Sequence, residues 1–171
     1  DQFTVTSGGV FAAGESGLFS WISGAWSEID ALGGSNILDM LEVDGVLYIA
    51  TDGDGVMRYS VANGVMLSDW STANSLHSDE ITSMLVSGNQ LVMASSDAGL
   101  ARYDWSSGFW LSTWNSGNWL SSNDVTGLAR SGNTLYILNG DALHTYNAAS
   151  NVFSGSQTID AFGLAGAGDE L

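Results

Sequence analysis

The chain has 171 residues, 44% of them hydrophobic and 22 of them glycine, and its seven Trp, six Phe and five Tyr exclude a disordered polymer. With no Cys and no Pro, no disulfide framework holds it together. Nineteen acidic residues against three arginines and no lysine give a formal net charge of −16, which excludes nucleic acid and anionic membrane surfaces as partners.

Residues 1–36 open with short strand candidates at Phe3-Thr4-Val5, Val10-Phe11-Ala12, Leu18–Trp21 and Trp26-Ser27-Glu28-Ile29. Residues 37–80 carry the clearest unit, GVLYIATDGDGVMRY over Gly45–Tyr59. Its turns at Asp44-Gly45 and Asp52-Gly53-Asp54-Gly55 bracket an apolar run. Residues 81–124 repeat it as GNQLVMASSDAGLARY, with strands expected over Ile81–Val86, Leu91–Ser95, Leu100–Tyr103 and Phe109–Trp114. Residues 125–171 repeat it as GNTLYILNGDALHTY. Leu47, Leu91 and Leu135 stand 44 residues apart, as do Leu32, Leu76, Leu120 and Leu164. A period of that length marks a repeat architecture. No segment keeps a 3.6-residue period over ten residues, so only a short helical turn near Leu76 or Leu120 is expected.

Four short strands per period make an antiparallel meander. One such sheet cannot bury both faces, so copies must pack face to face. Radial packing protects the sheet edges, and the expectation is an all-β β-propeller domain over 1–171, built of four 44-residue, four-stranded blades. The C-terminal Asp169-Glu170-Leu171 matches Asp79-Glu80-Ile81, so the register runs on from the last residue to the first. That continuity suits a closed four-blade ring, or a larger propeller completed by further blades or another copy.

The segment DEITSMLVSGNQLVMASSDAGLARYD resembles the two-component-regulator propeller repeat, a V/I-x-x-I strand followed by G-x-L-W-I-G-T and G-L-x-R-Y. Ile37, Ile81 and Val125 match the first strand, Leu47–Thr51 the second, and Gly55–Tyr59 and Gly99–Tyr103 the third. Asn74-Ser75-Leu76 and Asn118-Trp119-Leu120 resemble the N-G-L linker between blades, while Tyr48, Val92 and Tyr136 depart from the usual Trp. The resemblance spans essentially the whole chain. It implies an extracellular or periplasmic sensing or binding module.

The loops between second and third strands (Glu15-Ser16, Asp52–Asp54, Ser96-Asp97, Gly140-Asp141) should share a face with the interblade connections His77–Glu80, Ser121–Asp124 and Gly168–Glu170. That face gathers acid. Asp52 and Asp54 offer hard oxygen ligands, so calcium is the one cofactor the sequence suits, although Asp and Gly also simply make tight turns. His77 and Asp79 on the same face are candidate ligand contacts, with His77 merely facing water as the alternative; His144 reads as a packed or edge strand residue. No G-x-S-x-G, H-E-x-x-H or Cys nucleophile appears, so no catalytic residue is assigned. Arg58 and Arg102 are expected to pair with acids.

Trp70 and Trp114 share a repeat seat and read as packing residues. Trp105, Trp110 and Trp119 lack aromatic counterparts in the second repeat. Trp119, beside Asn118 and Asn123, would suit a sugar ring; the alternative tucks it between blades. The expected function is a non-catalytic extracellular or cell-surface module for protein or glycan binding. The alternatives are a sensor-type propeller with a small ligand at its channel mouth and, behind both, a propeller lyase or hydrolase. An acidic cytosolic protein is the competing reading of the composition.

Overall fold

The computed structural model describes residues 2–6, 8–14, 17–29 and 34–159. They form four separate four-stranded antiparallel sheets, each a meander in chain order. The first holds β1 (Gln2–Thr6), β2 (Gly9–Gly14), β3 (Gly17–Ile22) and β4 (Ala25–Ile29). The second holds β5 (Ile37–Val43), β6 (Val46–Thr51), β7 (Val56–Ser60) and β8 (Val65–Trp70). The third holds β9 (Ile81–Ser87), β10 (Gln90–Ser95), β11 (Leu100–Asp104) and β12 (Phe109–Trp110). The fourth holds β13 (Val125–Ser131), β14 (Thr134–Asn139), β15 (Ala142–Asn147) and β16 (Val152–Thr158). Among the described residues there is no helix, and therefore none long and apolar enough to cross a membrane. The chain is all-β, built of propeller-type blades.

The blades group into two compact units, Asp1–Thr82 and Ser83–Leu171. In the first, Phe11, Ala13 and Leu18 from one blade cluster with Met40, Leu47, Ile49 and Tyr59 from the next. In the second, Val92, Ala94, Leu100 and Trp114 cluster with Leu135, Ile137 and Tyr146. The repeat leucines Leu47, Leu91 and Leu135 are fully buried. Period-two alternation explains this pattern: residues opposite one another across a sheet share a face, and each blade offers one apolar face to its neighbour.

One expectation needs correction, and another, the short turn, is met. The fourth strand of the third blade covers only Phe109–Trp110, and Trp114 rejoins the sheet through a single bridge to Leu100. Leu76 and Leu120 close single hydrogen-bonded turns, in which the Ser71 and Asn115 carbonyls each accept three N–H bonds. The expectations at Glu15-Ser16, Leu32, Leu164 and Gly168–Glu170 lie outside the described residues.

Candidate functional site

The loop between second and third strands does meet the interblade connection. The Asp79 carbonyl accepts from the Gly53 and Gly55 N–H groups, and the Asn123 carbonyl accepts from Gly99 N–H. Gly55 and Gly99 adopt φ of 75° and 87°, and a Cβ on either would run into the carbonyl of Trp70 or Trp114. Glycine is therefore required twice, once for its φ and once for its missing side chain.

Asp79 and Asn123 occupy the same repeat seat and do the same job. Asp79 accepts from the Thr72 N–H at 2.7 Å and its hydroxyl at 2.6 Å, and Asn123 Oδ1 accepts from Ser116 N–H at 2.9 Å. Asn118 is likewise engaged: its Oδ1 accepts from the Asn115 and Trp119 N–H groups, and its Nδ2 donates to the Thr113 carbonyl. Asn74 makes equivalent bonds with Ser71 and Asp69. These Asx side chains staple their turns. His77 is exposed on the first unit's connection, whereas Trp119 belongs to the second unit.

Asp52 and Asp54 are exposed and turn to different partners, Asn36 Nδ2 and Ser35 Oγ, each at 3.2 Å. Among the described residues, no group of three or more His, Cys, Asp or Glu side chains is arranged to hold a metal ion.

Trp119 stands differently. The turn that buries Leu120 directs Trp119 outward, 56% exposed, with its indole lying parallel to the Phe153 ring at 5.1 Å and 7°. Phe153 meets Trp114 edge-on at 4.8 Å and Tyr146 at 5.2 Å, and Trp114 meets Tyr146 at 4.5 Å. The Arg102 guanidinium lies 3.9 Å over the Trp114 ring and donates to the Ser112 carbonyl, the Ser112 hydroxyl and Gln90 Oε1. The Tyr146 hydroxyl donates to Asn151 Oδ1 at 2.7 Å. Apart from Gln90, these side chains and Val152 line an open groove of about 430 Å³.

Arg58 repeats the arginine arrangement in the first unit, 4.5 Å from the Trp70 ring and bonded to the Ser68 carbonyl and hydroxyl. Among the described residues, both arginines thus take rings, carbonyls, hydroxyls and an amide in place of the expected carboxylates. Burial lowers the pKa of Arg102, with no carboxylate to offset it. The packing roles expected of Trp70 and Trp114 hold, since both are buried. Trp105 sits in the turn after β11, its N–H bonded to the Asn89 carbonyl, and Trp110 lies on Tyr103 at 5.3 Å.

Phe153 escaped the sequence reading. The available signal was a large apolar residue seven positions after each repeat tyrosine: Met66 after Tyr59, Trp110 after Tyr103, Phe153 after Tyr146. Each of these pairs is opposite across the sheet.

A Ser–His pair also emerges. Ser121 Oγ lies 3.1 Å from His144 Nε2 and 2.9 Å from Asn139 Oδ1. Asn139 also accepts from Ser122 N–H and donates to the Ser122 and Asp124 carbonyls. His144 is buried, as expected, and desolvation lowers its pKa. The Ser121 hydroxyl donates to Asn139 Oδ1, and the same oxygen meets His144 Nε2. Among the described residues, no carboxylate contacts the ring or shifts its pKa.

No protein-family model matches the chain, and no curated protein matches it. Among solved structures, the computationally designed Ika8 protein matches 96% of this chain with 14% identity and a TM-score of 0.72. The extracellular domain assigned to the hybrid two component system BT3049 from B. thetaiotaomicron matches 92%, with 17% identity and a TM-score of 0.71. The extracellular domain assigned to the one component system BT4673 from the same organism matches 90%, with 19% identity and a TM-score of 0.73. This chain spans 50% of the Ika8 chain and 24% and 21% of the other two. At these identities the likeness is one of fold.

Proposed function

We propose that the chain is a non-catalytic binding module of an extracellular or cell-surface protein, and that it binds a neutral glycan on the Trp119–Phe153 groove. The carrying observation is Trp119 itself. The repeat fills this seat with Ser75 in the second blade, so the scaffold does not require an indole, yet the turn holds one out at 56% exposure. A sugar ring has one apolar C–H face to lay on such an indole, and hydroxyls to meet Ser112 and the amide of Asn151 beside it. The Ser121–His144 pair supports a structural clamp in this reading, because the amide of Asn139 holds the serine oxygen. The resemblance to two-component-regulator repeats and the two extracellular domains among the structural neighbours support the location. They also favour a second reading, in which occupation of the groove is sensed by another part of a longer protein.

Binding to a neutral glycan array, followed by titration of tryptophan fluorescence with the best ligand, tests the proposal. Trp119→Ala should abolish the signal while costing about 1 kcal/mol of stability, the value of one ring stack. Trp114→Ala should cost about 3–5 kcal/mol as a buried large-to-small change. Undiminished glycan binding by Trp119→Ala, or no binding by the parent chain, would reject the groove as the site.

A further inference from the structure

Arg102 brings a charged donor to the edge of the Trp119–Phe153 groove. It is only 7% exposed, yet it borders the groove together with Ser112 and Tyr146. A guanidinium carries five N–H donors. Arg102 Nε donates to the Ser112 carbonyl at 3.2 Å, Nη2 to that carbonyl at 2.8 Å and to the Ser112 hydroxyl at 3.3 Å. Nη1 donates to Gln90 Oε1 at 3.4 Å, the longest of the four bonds. One Nη1–H therefore has no acceptor among the described residues, and no carboxylate there meets the charge. A buried cation with an open donor favours an acceptor brought by a ligand.

The neighbouring polar groups are also set to give hydrogen bonds. The Ser112 oxygen already accepts from Arg102, which leaves its O–H to donate. Asn151 Oδ1 takes the Tyr146 hydroxyl proton at 2.7 Å, which leaves the Asn151 Nδ2 protons open among the described residues. Val152, 52% exposed, and Phe153 supply apolar surface beside these donors. A sugar hydroxyl brings a proton that itself needs an acceptor. A carbonyl oxygen brings acceptor capacity alone, and an acetamido group joins that oxygen to a methyl suited to apolar surface.

We propose, resting on the reading of this groove as a glycan site, that its sugar carries an N-acetyl group whose carbonyl accepts the open N–H of Arg102. Two features favour the neutral acetamide over a carboxylate. A carboxylate is held best by two parallel N–H bonds from one guanidinium, and Arg102 has one to give. The formal net charge of −16 also repels an acidic sugar and leaves a neutral one unaffected. Arg102 is then the residue that sets specificity, and Trp119 the platform on which the ring stacks.

Glycan pairs that differ only in a hydroxyl or an acetamido group at one carbon test this, with uronates of the same linkage as a third arm. Affinities are read by tryptophan fluorescence for every pair with a member bound on the array. The acetamido member should bind about tenfold tighter or more, the range for one hydrogen bond to a charged group. Arg102→Met and Arg102→Leu, which remove the N–H donors, should each shrink that ratio towards one. The ratio is taken within one protein, so a general loss of affinity leaves it readable, and the parent comparison decides even where a variant fails to fold. Equal affinity within the pairs, a ratio unchanged in both variants, or tighter binding of the uronate would overturn the N-acetyl proposal and leave the glycan site in place. Binding to no array member, or binding undiminished by Trp119→Ala, would reject the groove as the site and the proposal with it.

Discussion

At the scale of single residues, His144 carries a testable consequence of burial. Its seat is Met57 in the second blade and Ala101 in the third, so the repeat needs only a packed side chain there. Desolvation disfavours the imidazolium and lowers the folded-state pKa below the unfolded value of about 6.5. A base with a depressed folded pKa binds more protons when unfolded. Its contribution to stability is therefore complete above about pH 6.5 and lost as pH falls through that value towards the folded one. The parent should lose more melting temperature than His144→Met between about pH 7.5 and pH 5.5. Equal losses would show that His144 can charge in the folded state. A smaller defect lies at Ser87, whose buried hydroxyl has no hydrogen-bond partner among the described residues, where the second blade has Val43.

Among the elements, the glycine loop between second and third strands binds the second and third blades to their outgoing connections. Gly99 donates its N–H to Asn123 and lies against the Trp114 carbonyl with φ of 87°. Gly88 has a positive φ too, 61°, but open space where its Cβ would stand. The pair separates two physical costs. Gly88→Ala should lose about 1 kcal/mol to the left-handed backbone alone. Gly99→Ala should lose about 2–3 kcal/mol or more, because the loop must also move off the Trp114 carbonyl. Urea unfolding of the two variants measures the difference, and equal losses would mean that the loop yields freely.

For the molecule as a whole, like charge is what the fold leaves uncompensated. Nineteen acids face three arginines, and two of those, Arg58 and Arg102, spend their donors on serines, a glutamine and tryptophan rings. Self-repulsion among carboxylates should make the melting temperature rise with ionic strength. Calcium and magnesium compared at equal ionic strength separate screening from binding. Equal increments mean screening alone, whereas an extra rise with calcium, lost in Asp52→Asn and Asp54→Asn together, would mark a site at that loop. A melting temperature unchanged by salt would refute the repulsion argument.

Strand and turn positions were legible in the sequence, because alternation and turn glycines act within a few residues. Phe3-Thr4-Val5, Leu91–Ser95 and Leu100–Tyr103 all lie within strands, as read. The same local signals overreached at Phe109–Trp114, where regular pairing stops at Trp110, Leu111 N–H alone still bonds the Arg102 carbonyl, and Trp114 returns to Leu100 as an isolated bridge. Side-chain direction, by contrast, needed the folded chain. Asn118, Asn123 and Asp79 have the chemistry of ligand contacts, but their acceptors close turns, and residue type alone does not say which donors an amide or carboxylate meets. Trp119 and Leu120 are adjacent and both apolar, and the bonds to the Asn115 carbonyl decide which is buried and which is held out. The groove itself joins residues from Arg102 to Phe153, and such long-range placement arises only when blades pack.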